Sequence, residues 1–159
     1  MIPCYPPCFG WAELIAACTP GCRRAEFEST FAEHAGARFG VSFSYASAAL
    51  IATLKALGLQ DREIIIPAYT CRVVAAAILA SGNRLAFADI ANGSFSIDIG
   101  GLREVVGRNT GAVLPTHLYG APTDVEALRA AIGDARIFTI EDSAQSLSLI
   151  HISEPTRLD

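Results

Sequence analysis

The chain has 159 residues, 52% of them hydrophobic, and a formal net charge of -4. That length suits one domain able to bury roughly two-thirds of its unfolded surface, and the acidic balance with scattered arginines excludes a basic patch for nucleic acid. The longest wholly apolar run, Val73 to Ala80, is too short to span a bilayer, and the start lacks the basic-then-apolar pattern of a signal peptide, so a cytoplasmic protein with no membrane partner is expected.

A lead rich in proline and cysteine, Met1 to Gly10, opens onto a helix expected over Trp11 to Cys18 and ended by Thr19-Pro20-Gly21. Cys4, Cys8, Cys18 and Cys22 form two C-x3-C pairs. That spacing lies within the range of zinc sites, but ordinary thiols are the plainer reading for an intracellular protein, and no metal is assigned. Arg24 to Ala35 then sets Phe27, Phe31 and His34 on one side and acids on the other, an amphipathic helix that needs a surface to dock on.

From Arg38 onward β-type runs alternate with helical ones. Strands are expected at Phe39 to Phe43, Arg62 to Ile66, Arg84 to Asp89, Gly111 to Thr116 and Arg136 to Ile140. The helices between and after them are Ala46 to Leu57, Cys71 to Ser81, Ile99 to Val106 and Thr123 to Ile132. The last stretch, Leu147 to Arg157, reads LSLIHISEPTR and resembles an in-frame translation of a sequencing adapter. It is expected to be read-through and is set aside, the alternative being a genuine polar tail.

Ile64-Ile65-Ile66 and Ala112-Val113-Leu114 are apolar on successive residues, as in strands covered on both faces by helices. The alternation predicts an α/β fold around a mainly parallel sheet, and ligands bind such sheets at the carboxyl ends of the strands. Polar residues gather there. The small-residue turn Ser44-Tyr45-Ala46-Ser47-Ala48 opens a helix whose unpaired N–H groups suit a phosphate, unless Ser47 only caps the helix. In Ile140-Glu141-Asp142-Ser143-Ala144-Gln145 a carboxylate follows a strand. Buried there, it needs a cationic or hydrogen-bonding partner, and a protonated pyridine nitrogen would serve; otherwise it is a solvated loop acid. In Pro67-Ala68-Tyr69-Thr70-Cys71 the proline ends a strand and Thr70 is placed to cap the next helix. His117, in Thr116-His117-Leu118-Tyr119-Gly120, is either a packed, hydrogen-bonded residue or a catalyst. No metal-ligand set or nucleophile triad stands out beyond the N-terminal cysteines.

In order and spacing, the segments FAEHAGARFGV, ASAAL, ALGL, IIIPAYTC, AAAILASG, FADI, NTGAVLPTHLYGAPTD and IEDSAQS resemble the DegT/DnrJ/EryC1/StrS family of sugar aminotransferases. The resemblance runs from Phe27 through Ser146. It implies the fold type I large domain of pyridoxal 5'-phosphate (PLP) enzymes, a three-layer α/β/α arrangement, here truncated. The implied domains are an N-terminal helical segment (1–36), a partial PLP-binding large domain (37–146) and the read-through tail (147–159). It also implies a homodimer, a glutamate-type amino donor and a nucleotide-linked keto sugar as substrates. A sugar dehydratase and a non-catalytic relative of the same family remain alternatives.

Residue by residue, the resemblance places Ala46, Ser47 and Ala48 at the cofactor phosphate, Asp142 at the pyridinium nitrogen, and Gln145 near the ring hydroxyl and imine. Cys71 would lie on the ring face and His117 would support the site from behind. The departures are specific. The family's Ser-Gly-Thr turn is Tyr45-Ala46-Ser47 here, and Cys71 lacks the π-face that many members carry. The Schiff-base lysine is missing: the sole lysine, Lys55, falls within a helix, so no catalytic residue is assigned and the chain is expected to be inactive.

Overall fold

A computed structural model describes residues 10–18 and 23–146. The helices are α1 (Trp11–Cys18), α2 (Arg24–His34), α3 (Ala46–Ala56), α4 (Arg72–Ala80), α5 (Leu102–Val105) and α6 (Val125–Ile132). The strands are β1 (Glu63–Pro67), β2 (Arg84–Ala88), β3 (Thr110–Val113) and β4 (Phe138–Thr139). They form one sheet in the order β2-β1-β3-β4, and every pairing in it is parallel.

The run Ile64-Ile65-Ile66 explains the layering. Side chains alternate across a strand, so Ile64 and Ile66 point to one face, where they pack with Leu54 of α3, Ile78 of α4, Ala112 and Leu114. Ile65 points to the other and meets Val113, Leu102 of α5, and Leu128 and Ile132 of α6. All three isoleucines are fully buried. This is the expected three-layer α/β/α arrangement with a parallel sheet.

Local chemistry sets the element ends. Asp124, not Thr123, begins α6: its Oδ1 accepts from the Ala127 N–H at 2.9 Å, and Gly133 at φ 65° closes the helix in the left-handed region. The expected helix from Ile99 contracts to α5 because the Asp98 carboxylate draws in the N–H groups of Gly100 and Gly101 at 3.0 and 3.3 Å. Thr70 does not cap α4. Cys71 occupies that position without a side-chain bond, while Thr70 Oγ1 pairs with Thr116 Oγ1 at 3.1 Å.

The largest difference from expectation is Phe39 to Phe43, which forms no strand. It pairs with neither edge of the described sheet, and Phe39 and Val41 stay 79% and 71% exposed. The segment is instead held to α2, where Glu28 Oε1 accepts from the Ser42 N–H at 2.8 Å and its hydroxyl at 2.6 Å. Those two bonds, ahead of the nearby Arg24, hold the Glu28 carboxyl below its usual range. On α2 itself Phe27 and Phe31 stack at 5.9 Å and both remain exposed.

Candidate functional site

The strands finish at one edge of the sheet, and the polar loops singled out in the sequence converge there. Beyond β3 and β4 the chains stay paired: Thr116 bridges Asp142 in parallel, the His117 N–H donates to the Asp142 carbonyl at 3.0 Å, and the Asp142 N–H donates to the Pro115 carbonyl at 3.0 Å. Asp142 is thus anchored by its backbone. Its Oδ1 accepts from the Ala144 N–H at 3.1 Å, which turns the chain and leaves Oδ2 for another partner. Asp142 is half-buried.

His117 is 3% exposed. Its Nδ1 accepts from the Thr123 N–H at 3.0 Å, and its Nε2 lies 3.2 Å from Glu141 Oε2. A backbone N–H can only donate, so Nδ1 is unprotonated and Nε2 carries the proton toward Glu141. The His117 carbonyl accepts from the buried Ser146 hydroxyl at 2.6 Å. Three polar groups of His117 tie the β3 loop to the β4 loop, and Nδ1 closes the β3–α6 connection on itself, an arrangement in keeping with a packed, hydrogen-bonded residue.

Helix α3 reaches the same edge from the other side. It ends at Ala56 and meets β1 through residues 57–62, with Leu50 and Leu57 packed on the Ile64/Ile66 face. Eleven helical residues and five strand residues each span about 16 Å, so the first turn of α3 lies near the level where β1 ends. Tyr45, not Ser47, is the N-cap residue, and its side chain makes no capping bond. The Ala48 N–H turns back to the Tyr45 carbonyl at 3.1 Å. That leaves the Ala46 and Ser47 N–H groups at the positive end of the helix, with a small side chain on each.

Cys71 stands exposed as a free thiol at the N-cap of α4. Lys55 belongs to the last turn of α3, at the edge where strands begin and remote from this site. Cys18 is exposed and free, whereas Cys4, Cys8 and Cys22 lie outside the described residues. Among the described residues no group of His, Cys, Asp and Glu is placed to hold a metal, and no helix is long and apolar enough to cross a membrane.

One group at this edge was not foreseen from the sequence. Tyr69 Oη and Tyr119 Oη lie 3.1 Å apart, and Phe95 packs against both rings at 5.5 and 5.0 Å between centroids. The bond to Tyr69, followed by that phenol's charge and by burial, holds the Tyr119 phenol above its usual range. The Tyr119 N–H donates to Gln145 Oε1 at 3.1 Å. Tyr69 and Tyr119 carried a weak signal, being aromatic residues just past strand ends; Phe95, in the β2–α5 connection, carried none.

A parallel sheet between helical layers, with polar loops gathered at its carboxyl edge, defines a layered α/β protein of the class that binds ligands at that edge. More narrowly, the chain belongs to the DegT/DnrJ/EryC1/StrS aminotransferase family, whose sequence profile matches residues 15–152. It is 30% identical over 137 residues to the 3-oxo-glucose-6-phosphate:glutamate aminotransferase of Bacillus subtilis, covering 86% of this chain and 31% of that protein. The crystal structure of DesV from S. venezuelae in complex with a ketimine intermediate is 27% identical, with a TM-score of 0.76 over 85% of this chain and 37% of the other. GDP-4-keto-6-deoxymannose-3-dehydratase, solved with a trapped PLP-glutamate geminal diamine, is also 27% identical, with a TM-score of 0.75 and the same coverage. The chain thus spans well under half the length of these relatives.

Among the described residues, the chemistry of two groups suits the two poles of PLP. Oδ2 of Asp142 is free for a pyridinium N–H, and the Ala46 and Ser47 N–H groups are free for a phosphate. They do not offer the amine that would hold the aldehyde.

Proposed function

We propose that this chain is the cofactor-binding front portion of a PLP-dependent aminotransferase that moves an amino group from a glutamate-type donor to a nucleotide-linked keto sugar, in the cytoplasm and as a homodimer. What supports the reading is a half-buried carboxylate with a free oxygen past β4 and a helix start with unpaired N–H groups, which the matched lengths of α3 and β1 bring to the level of the same sheet edge. PLP, when bound, supplies an electron sink for removing a proton next to nitrogen. Asp142 would keep the ring nitrogen protonated, Ala46 and Ser47, with Ala48 behind them, would hold the phosphate, and Cys71 would lie against the ring face. His117 would hold the Asp142 loop to the β3 loop.

Lys55 is the sole lysine, so the 159-residue chain itself is expected to turn over no amino donor and keto sugar. Sustained turnover by the purified chain would overthrow that statement. Titration with PLP followed by absorbance tests the reading: saturable binding is expected, and no binding would remove the cofactor assignment. The kinship with a dehydratase of equal identity supports a second reading, in which the parent protein removes water from the sugar; a histidine in place of the Schiff-base lysine would select it.

A further inference from the structure

The Tyr69–Phe95–Tyr119 cluster has no part in the cofactor contacts assigned above, yet it reaches one of the residues that make them. Tyr119 sits at φ 55°, ψ 24°, in the left-handed region that a bulky side chain rarely adopts without being held there. Gly120 follows at φ 79°. Three contacts hold the turn: the phenol-to-phenol bond to Tyr69 at 3.1 Å, the packing of Phe95 at 5.0 Å from the Tyr119 ring, and the Tyr119 N–H bond to Gln145 Oε1. The Tyr69 end is fixed in turn, because the next residue, Thr70, is hydrogen-bonded to Thr116.

We infer that Tyr69 and Tyr119 form a positioning latch that fixes which end of the Gln145 carboxamide faces the ligand. Because a backbone N–H can only donate, the Gln145 atom against Tyr119 is the carbonyl oxygen, and the free end is the NH2 group. Gln145 therefore keeps its amide donors free, while its oxygen is taken by the Tyr119 N–H. A donor held next to an ionisable ring hydroxyl stabilises its deprotonated form and lowers its pKa. This rests on the cofactor reading for its consequence, but not for the latch itself.

Two measurements on the 159-residue chain separate the parts. In the absence of PLP, NMR relaxation of the Gln145 carboxamide nitrogen is expected to show an ordered group in the wild type and a mobile one in Tyr69→Phe and Tyr119→Phe, which keep the rings and lose the bond. Equal order in all three overturns the latch, and so does a group already mobile in the wild type. With PLP added, the absorbance change that reports ionisation of its ring hydroxyl is expected to move up by about one pH unit in both variants and in Gln145→Leu. A shift in Gln145→Leu alone overturns the latch. If PLP fails to bind at all, the cofactor reading falls while the carboxamide measurement still decides the latch.

Discussion

Asp142 and His117 divide the work at the carboxyl edge in a way that single substitutions can separate. Asn at position 142 still accepts from the Ala144 N–H, so the turn survives while the charge is lost. Asp142→Asn is expected to weaken PLP binding by about tenfold or more, the worth of a charge-assisted bond, in an absorbance titration; unchanged affinity would mean that Oδ2 does not face the cofactor. His117→Ala leaves the Thr123 N–H without its acceptor and Glu141 without its donor. A loss of about 2–3 kcal/mol of stability is expected in denaturant unfolding. The residue types at these positions were legible in the sequence because polar groups stand out just past buried strands. Their pairings were not: His117 and Glu141 are 24 residues apart and Tyr69 and Tyr119 are 50 apart, separations that only strand order brings together.

Elements were read best where the apolar pattern was strong and their ends set by short-range bonds. The central strand and helices α3 and α4 fall within a residue or two of expectation, since Ile64 to Ile66 and the helical apolar periods depend only on neighbours. Gly111 in β3 shows how tightly the layers close: a Cβ there would lie 2.8 Å from Arg62 Cβ and 2.9 Å from Leu59 Cδ2. Gly111→Ala is therefore expected to cost about 1–3 kcal/mol, read from the unfolding midpoint. Between α6 and β4, Asp134 accepts from the Arg136 side chain at 2.8 and 3.0 Å and from its N–H at 2.9 Å. The side-chain bond, then the backbone bond, lowers the Asp134 carboxyl from 3.8 to about 2. A lowered folded-state pKa gives stabilisation that is present above the ordinary value and disappears as pH falls toward about 2. Asp134→Asn is expected to remove that acid-dependent part of the unfolding curve, and added salt to shrink it in the wild type, because the pair is open to solvent.

As a whole molecule the chain exposes more apolar surface than its layered core needs. Trp11, Phe39, Val41 and Phe87 are each more than half exposed, and among the described residues β2 and β4 are the unpaired edges of the sheet. Such edges and patches promote association. The purified chain is expected to self-associate with rising concentration in light scattering, and the double substitution Phe39→Asp with Val41→Lys to reduce it. A monodisperse wild-type monomer with one cooperative thermal transition would contradict this.

The sequence by itself determined the α/β class, the central strand, the two-faced burial of the sheet and the family, because these follow from side-chain periodicity and from motifs read locally. It also placed Asp142 at a strand end and the small-residue turn at a helix start. Only the tertiary structure decided that Phe39 to Phe43 is not a strand, that Thr70 bonds to Thr116 and leaves α4 uncapped, and that Tyr119 turns Gln145. Each of those outcomes depends on which distant group lies alongside, and a strand, a cap or a carboxamide takes its final form from the partner it meets.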